Sequence, residues 1–278
     1  MKRILFTLLL CSLTLSSFSQ TRNAHEPQLQ LIRNATLVID YNGKRILVDP
    51  MLGAKASLPS FSGKNTPNPS VDLTMPISEI IDNIDLVLVS HTHADHFDET
   101  ASKSLNKSIK LIHQPSDKNY FTKERYINAI PITDSLTWEG ITLIRTNAQH
   151  GTGRVLEKMG NVAGYILKSE GQPTVYIVGD AIWTEELYQN IRNYNPDYIV
   201  INSGGALIPG YENTPIIMDE NQAMSVIQES GNAKVIAIHM DAINHCYTTR
   251  NILKKKAKEN NISKEKLIVP EDGEIINL

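Results

Sequence analysis

The stretch that most constrains the fold is His91-Thr92-His93-Ala94-Asp95-His96, which directly follows the apolar segment 84–90. An apolar run of that length is typical of a buried strand. Three of the eight histidines of the chain and one carboxylate therefore lie within six residues at the end of a strand. Packing does not require such a concentration of polar groups. A metal site does, because imidazole nitrogen and carboxylate oxygen are ligands of Zn²⁺ and similar cations.

The spacing within this stretch indicates more than one ion. A single tetrahedral ion cannot easily take four ligands from so short a run. His91 and His93 are two residues apart and can face one ion, while Asp95 and His96 can turn toward a second. The alternative is a polar loop with incidental histidines, and the scarcity of histidine elsewhere in the chain argues against it.

The overall composition is that of a globular protein with enough apolar material for a core. Of the 278 residues, 41% are hydrophobic, and the length fits one large domain or two small ones. A formal charge of −3 carries no nucleic-acid signature, so we expect a small-molecule partner and no nucleic acid. The sequence does not predict the oligomeric state.

Residues 1–19 have the pattern of a secretory signal peptide. Lys2 and Arg3 form the basic start, an apolar core follows over 4–15, and small residues precede a cleavage site before Gln20. We therefore expect a secreted or periplasmic protein. An uncleaved N-terminal anchor is the alternative.

The mature chain, 20–278, is expected to be one domain without a transmembrane span. Its formal charge is −5, from 25 basic and 30 acidic residues. Lipid attachment at Cys11 is a further alternative to simple cleavage, although Leu10 precedes it where a small residue is expected. Cleavage leaves Cys246 as the one cysteine, so no internal disulfide is expected to stabilise the fold.

Strand and helix patterns alternate along the chain, which predicts an α/β fold with helices outside the sheets. The segments with strand patterns are 29–33, 35–40, 45–49, 84–90, 109–113, 129–132, 140–145, 162–168, 174–178, 197–201 and 234–238. Helices are predicted over 77–84, 99–105 and 248–259, from Thr184 onward, and from an Asp219–Gln222 capping box to Gly231, with 116–126 helical or irregular.

The His-x-His-x-Asp-His run at 91–96 resembles the signature of the metallo-β-lactamase superfamily. The resemblance extends from about Leu31 to the C-terminus, and it implies a four-layer αβ/βα sandwich of the metallo-β-lactamase type. It also implies further ligands at distant strand ends, where His150 would complete the first ion and His239 the second. The expected metal ligands are His91, His93, Asp95, His96, His150, Asp180 and His239.

Asp180 is the candidate bridge between the two ions. It follows the strand segment 174–178, and a carboxylate can bind two cations while its charge offsets their mutual repulsion. A turn aspartate is the alternative. For the second ion His245 is the rival of His239, which we favour because it stands at the end of the segment 234–238.

Three residues near these candidate ligands are expected to support the site. By resemblance, Asp49 would hold the 91–96 loop from behind through hydrogen bonds, and a strand-end turn is the alternative. Asn244 and His245 are candidates for substrate contact or proton delivery, or else form an ordinary loop before the last helix. Residues 51–75, rich in Gly, Pro, Ser and Asn, form a candidate lid or substrate wall, in which Phe61 either touches substrate or anchors the loop.

Two differences from known groups of the superfamily indicate which branch this chain resembles. Enzymes that hydrolyse β-lactams often carry a cysteine or a non-bridging residue at the position of Asp180, so that activity is not expected. Glyoxalase-like members have Thr-Pro-Gly-His where this chain has Gln149-His150 after Ala148. The patterns at 46–50, 179–180 and 270–274 look more like the branch that contains ascorbate-phosphate lactonase. That enzyme is cytoplasmic, whereas this chain has a secretion signal, so its substrate is not carried over.

The hypothesis that follows is metal-assisted hydrolysis. Two cations, Zn²⁺ in preference to Mn²⁺, would hold a water and lower its pKa from about 15.7 toward ~7. Asp95 and Asp180 are the catalytic candidates, since they would orient the hydroxide and carry a proton to the leaving group. A small ester, a lactone and a phosphodiester stay open as substrates, and Arg154 and Arg250 are candidates for an anionic group. The alternatives are a non-hydrolytic metal- or ligand-binding protein of the cell envelope and an oxygen-reducing di-iron protein.

Overall fold

A computed structural model of the chain describes residues 26–63 and 65–278. The predicted signal peptide, 1–19, lies outside the described residues. Two seven-stranded sheets pack face to face, and helices cover the outer side of each. This is the four-layer αβ/βα sandwich that the resemblance implies. None of the helices in the described ranges is both long and apolar enough to cross a membrane.

The strands follow the alternating apolar segments of the sequence. In chain order they are β1 (Gln28–Arg33), β2 (Thr36–Tyr41), β3 (Lys44–Val48), β4 (Leu86–Val89), β5 (Lys110–His113), β6 (Ala129–Pro131), β7 (Ser135–Trp138), β8 (Ile141–Ala148), β9 (Val162–Lys168), β10 (Val175–Ile177), β11 (Tyr198–Asn202), β12 (Lys234–Ile238), β13 (Leu267–Ile268) and β14 (Ile275–Asn277).

The two sheets have mirrored strand orders. The first runs β14-β1-β2-β3-β4-β5-β6, antiparallel as far as β3 and parallel beyond it. The second runs β13-β12-β11-β10-β9-β8-β7, parallel from β13 to β10 and antiparallel from β10 to β7. The carboxyl ends of the parallel strands within each sheet point to one edge, which is where loops can bring polar side chains together.

Strand β4 shows why the segment before the histidines is apolar without interruption. Leu86 and Leu88 face the core between the sheets, while Val87 and Val89 face the helices outside the first sheet. All four side chains are fully buried. A strand covered on both faces needs apolar residues at every position. The packing of β4 on both faces holds the loop that follows it in place.

Of the seven helices that the structure describes, two begin at caps that the sequence predicts, Thr184 and Asp219. The helices are α1 (Ile77–Ile80), α2 (Glu99–Ser104), α3 (Lys118–Lys123), α4 (Arg154–Met159), α5 (Glu185–Tyr194), α6 (Glu220–Glu229) and α7 (Arg250–Glu259). Thr184 caps α5 by accepting a hydrogen bond from Leu187 N. Asp219 caps α6, but the predicted capping box is wrong in its second half. The side chain of Gln222 does not reach back, because its Oε1 accepts a hydrogen bond from Trp183 N.

Four short elements were not predicted from the sequence, namely α4, β7, β13 and β14. The three strands have two to four residues, too few to show a period, and they form through pairing with longer neighbours. The predicted helix over 77–84 is a single turn that ends near Ile81, and Asn83 then takes a positive φ of 55°. The three missed strands lie at the edges of the sheets, and the central strands form where the sequence predicts them.

Candidate metal centre

All seven candidate ligands lie at one edge of the sandwich, where loops from both sheets meet. The loop after β4 carries His91, His93, Asp95 and His96. The second sheet supplies the other three, which follow the ends of β8, β10 and β12. These ligands are His150, Asp180 and His239.

The loop after β4 is a tight turn fixed at its base. The backbone N–H groups of His96 and Phe97 both donate to the carbonyl oxygen of His93 at 2.9 Å. Phe97 is buried and meets the ring of Phe121 edge to face, with 5.2 Å between ring centroids. The apolar anchor holds the end of the loop in the layer of helices, so the polar side chains before it turn inward toward the second sheet.

His91, His93 and His150 form the first group of candidate ligands. One nitrogen from each lies within 4.8 Å of the others. His91 Nε2 is 2.8 Å from His93 Nδ1, and His91 and His150 are both almost fully buried. Nδ1 of His150 lies 2.6 Å from the carbonyl oxygen of Ile216. A carbonyl oxygen can only accept a hydrogen bond, so Nδ1 is the donor. This bond leaves Nε2 of His150 free to bind a cation.

Asp95, His96 and His239 form the second group, with ligand atoms again within 4.8 Å of one another. His239 Nε2 lies 3.2 Å from His96 Nε2 and 3.5 Å from Asp95 Oδ2. His239 follows β12 with a positive φ of 65°, an uncommon conformation for a residue other than glycine. Such backbone strain is often found where a functional side chain must be aimed.

Asp180 stands between the two groups. Its Oδ2 is 3.1 Å from His96 Nε2 and 3.4 Å from His150 Nε2, and its Oδ1 is 3.8 Å from His239 Nε2. The turn that places it requires Gly179, which has a φ of 74°. A Cβ atom there would lie 2.6 Å from the carbonyl oxygen of Ala163. The carboxylate therefore faces both groups, with Oδ2 near His150 of the first and both oxygens near histidines of the second, as a bridging ligand would.

Burial and mutual charge divide the histidines into two kinds. Burial lowers the pKa of His91 and His93, and it lowers the pKa of His150 to about 4, so these three rings are neutral near pH 7. Burial also opposes the charge on His96 and His239, but nearby acidic groups together outweigh it and raise the pKa of both. Asp180 acts on both rings, with Asp49 beside His96 and with Asp95 and Cys246 beside His239.

The same charges act on Asp180 in the opposite direction. Burial alone would raise the pKa of Asp180, yet His96, His239 and His150 together lower it well below the usual range. In the metal-free protein, protons on His96 and His239 therefore offset a buried carboxylate. A divalent cation would displace those protons, so the donor set fits such ions and binding would strengthen as pH rises.

Asp49 lies behind the loop that carries the histidines. Its carboxylate accepts hydrogen bonds from Ser90 N at 2.7 Å, from Ser90 Oγ at 2.6 Å and from His96 Nδ1 at 2.9 Å. The last bond leaves His96 Nε2 to face Asp180. Asp49 is itself fixed, because Thr36 Oγ1 donates to its carbonyl oxygen at 2.8 Å.

A cavity of about 270 Å³ opens onto both ligand groups. One side is polar and includes His93, Asp95, His150 and Asp180. The other side is formed by His245 and by apolar side chains, which are Phe61, Met159, Ile208 and Ile216. The loop over 51–75 thus contributes a wall residue through Phe61.

Two of the candidate residues lie elsewhere than expected. Asn244 bonds to the 51–75 loop, where its Oδ1 accepts from Phe61 N and its Nδ2 donates to Ser60 Oγ, and it is not among the residues that line the cavity described above. Arg250 is buried and paired with Asp241 and Asp272, which makes it a structural residue and not an anion-binding one. The sequence alone does not fix the direction in which either side chain points.

Sequence reasoning also missed two asparagines at the centre. Asn202 Nδ2 donates to Asp180 Oδ1 at 2.6 Å, and Asn34 Nδ2 donates to the carbonyl oxygen of Asp95 at 3.1 Å. Asn202 ends β11, so its place at a strand end was the available signal. Asn34 lies in the turn between β1 and β2, and nothing in the sequence relates that turn to the site.

Comparisons with known proteins agree with this architecture. A family profile described as "Beta-lactamase superfamily domain" matches residues 44–240. The UPF0173 protein YddR of Bacillus subtilis (strain 168) is 35% identical over 248 residues, which are 87% of this chain and 96% of that protein.

Two crystal structures are similar over nearly their whole length. A possible metal-dependent hydrolase from Veillonella parvula DSM 2008 has a TM-score of 0.88 at 35% identity, covering 91% of this chain and 100% of that one. The isothiocyanate hydrolase from Delia radicum gut bacteria has a TM-score of 0.82 at 32% identity, covering 90% of this chain and 98% of that one.

Proposed function

Because the chain belongs to the beta-lactamase superfamily, we propose that it is a hydrolase that depends on two divalent metal ions. The observation that carries the proposal is the convergence of five histidines and two aspartates at one buried edge. Within each of their groups the ligand atoms lie no more than 4.8 Å apart. The similar protein from Veillonella parvula is described as a possible metal-dependent hydrolase, which supports the same activity here.

The residues of the centre have distinct roles in this proposal. Zn²⁺, or Mn²⁺ in its place, would supply Lewis acidity and lower the pKa of a bound water. Asp180 faces both ligand groups, so its charge would offset the repulsion between two cations. Asp95 lines the cavity and contacts His239, and its carboxylate can pass a proton to a leaving group.

The cavity favours a small, neutral substrate. Its volume of about 270 Å³ is near the lower end for ligand pockets. Among the described residues that line it there is no lysine or arginine to bind a phosphate, while Phe61, Ile208 and Ile216 offer an apolar surface. We therefore favour a lactone, a small ester or another neutral carbon electrophile over a phosphodiester. An isothiocyanate, the substrate class named for the relative that is 32% identical, is also of this kind.

The test is hydrolysis by the chain from Gln20, reloaded with Zn²⁺ or Mn²⁺. The panel pairs γ-butyrolactone, phenyl acetate and allyl isothiocyanate with the phosphodiester bis(p-nitrophenyl) phosphate, and Asp180→Ala is the control. We expect turnover of a neutral substrate that the control loses. Two bound ions without turnover of any class would favour the non-hydrolytic metal- or ligand-binding alternative.

We infer that the protein acts outside the cytoplasm, in the periplasm or the medium. The support is the basic start and apolar core of residues 1–19. The test is mass spectrometry of the protein recovered from its native cells. A mature chain that begins at Gln20 would support export, and an intact Met1 in the cytoplasmic fraction would refute it.

A further inference from the structure

His245 lies across the cavity from the metal centre without belonging to it. Its imidazole lines the cavity that also contains Asp95 and Asp180. In the described chain it is not among the groups whose ligand atoms converge within 4.8 Å. The residue is 95% buried, with 5% exposure, and its Nδ1 is buried with no hydrogen-bond partner among the described residues.

An unpaired buried nitrogen is costly, so its retention requires a reason. Leaving such an atom unsatisfied destabilises the folded protein, because the hydrogen bond that it made to water is not replaced. In native proteins most buried polar atoms are paired, and the exceptions often have a catalytic or binding role. Because the ring of His245 lines the cavity, whatever enters the cavity is in reach of this ring.

The direction of the ring is set by the loop over 51–75. Phe61 meets His245 edge to face, with 5.5 Å between centroids and 84° between planes. The preceding residue, Asn244, accepts hydrogen bonds from Phe61 N and Ser62 N at 3.2 Å each. Its backbone N–H donates to Asn68 Oδ1 at 2.9 Å. The Asn244-His245 pair therefore fixes the loop with one side chain and faces the cavity with the other.

The charge state of His245 suits a hydrogen bond to a neutral group. Burial lowers the pKa of His245, so the ring is neutral near pH 7. A neutral imidazole presents one N–H donor and one acceptor nitrogen. The other polar groups on the cavity wall are carboxylates and candidate metal ligands, and the carboxylates cannot donate once ionised.

We propose that His245 contacts the substrate directly and selects for a neutral electrophile with a polar heteroatom beside an apolar group. This deepens the proposed hydrolase function and rests on it. The imidazole would bond to the oxygen, sulfur or nitrogen next to the reacting carbon. The apolar part of the substrate would lie against Phe61 and Ile216, which line the same cavity. Asn244 is a positioning residue in this arrangement, because it acts through Phe61 and the loop.

The experiment compares His245→Leu with His245→Asn in the zinc-loaded mature chain. Leucine removes both nitrogens at similar size, while asparagine keeps an amide near the position of Nδ1. We expect both variants to keep the zinc content of the wild type. On the best neutral substrate, kcat/KM should fall about 10- to 100-fold in the leucine variant, and the asparagine variant should recover most of the loss.

Two outcomes would overturn the assignment. One is a leucine variant with wild-type kcat/KM. The other is an asparagine variant as slow as the leucine variant with the zinc content intact, which would mean that a polar group at the Nδ1 position makes no contact with the substrate. Failure of the wild type on every substrate would count against the proposed hydrolase function, and a second measurement then tests His245 separately.

That measurement uses ¹⁵N-histidine-labelled, zinc-loaded protein and 2-pyrrolidinone, the lactam analogue of γ-butyrolactone, as the probe. The ring signal of His245 is identified by its loss in the asparagine variant. A shift of this signal on addition of the probe supports the contact. A signal that does not move overturns it, whether or not the enzyme turns over any substrate.

Discussion

Two clusters of buried charge differ in how their charges are matched. Around Arg250 the protein completes the cluster itself, because the guanidinium pairs with Asp241 and Asp272 and donates to the carbonyl oxygen of Pro270 at 2.7 Å. Around Asp180, five histidines and a second carboxylate converge. In the metal-free protein, protons on His96 and His239 offset the buried carboxylate charge. A cluster that is complete within the chain is structural, whereas one that collects ligand atoms is a place for an ion.

The chemistry of the side chains explains the difference. A guanidinium is always charged and offers donors in a fixed plane, so it can satisfy carboxylates but cannot bind a cation. Imidazole nitrogens can give up a proton and become ligands. In the Asp180 cluster, His96 and His150 each donate a hydrogen bond from Nδ1 to an acceptor behind the ring. The Nε2 atom of each ring faces Asp180. The two clusters should therefore respond differently to four changes.

Asp180→Asn should have the largest effect. The amide keeps the shape of the side chain and its contact with Asn202, but it removes the charge between the two ligand groups. Because a metal centre contributes several kcal/mol to catalysis, we expect kcat/KM to fall by about 10³-fold or more. Steady-state kinetics with zinc analysis on the same sample would show this. Near-normal turnover would mean that the cluster around Asp180 is as structural as the one around Arg250.

Metal removal should destabilise the wild-type protein by a comparable amount. An ion that binds the folded chain alone stabilises it by about 4 kcal/mol at a thousand times its dissociation constant. Urea unfolding with zinc and with a chelator measures this difference in the free energy of unfolding. Arg250→Met should show the same zinc-dependent increment as the wild type, since its cluster needs no ion. An unfolding midpoint that the chelator does not change would remove the distinction between the clusters.

How far the sequence could predict these two clusters depends on whether a local sequence pattern marks them. Four ligands of the Asp180 cluster lie within 91–96, so their spacing alone revealed the centre. The Arg250 cluster joins the start of α7 to residues 241 and 272 in two loops, and no local pattern marks it. For the same reason Asn34 was missed, because its role depends on a turn that meets the site only in the folded protein. The two main sheets were predictable because each long strand carries its own apolar period.

Arg250→Ala should reduce stability with little effect on catalysis. Removing the guanidinium leaves Asp272 largely buried and unpaired, and breaking a buried ion pair costs about 3 kcal/mol at the low end of the usual range. Urea unfolding of the zinc-loaded variant would measure the loss, and kcat/KM per folded molecule should stay near that of the wild type.

Lys254→Ala on the same helix is the matched control for Arg250→Ala. Lys254 pairs with Glu271 at 2.8 Å, but both side chains are exposed, so the loss should be under about 1 kcal/mol. Equal losses in the two variants would contradict a special role for the buried cluster.

Asp49→Asn should have the smallest effect of the four. Asp49 shares a feature with each of the two clusters. Asp49 is matched within the chain like Arg250, since it accepts from Ser90 and His96, yet one of those partners is a candidate metal ligand. An amide can still accept one of the bonds but cannot hold His96 by charge. Because mutation of residues behind metal ligands typically lowers metal affinity or activity 10- to 100-fold, we expect zinc affinity and kcat/KM to fall together by about that factor.

The measurement for Asp49→Asn is zinc affinity, by competition with a chelator, together with kcat/KM. A loss of stability with unchanged zinc affinity would place Asp49 with the structural cluster, because its bonds would then hold only the loop.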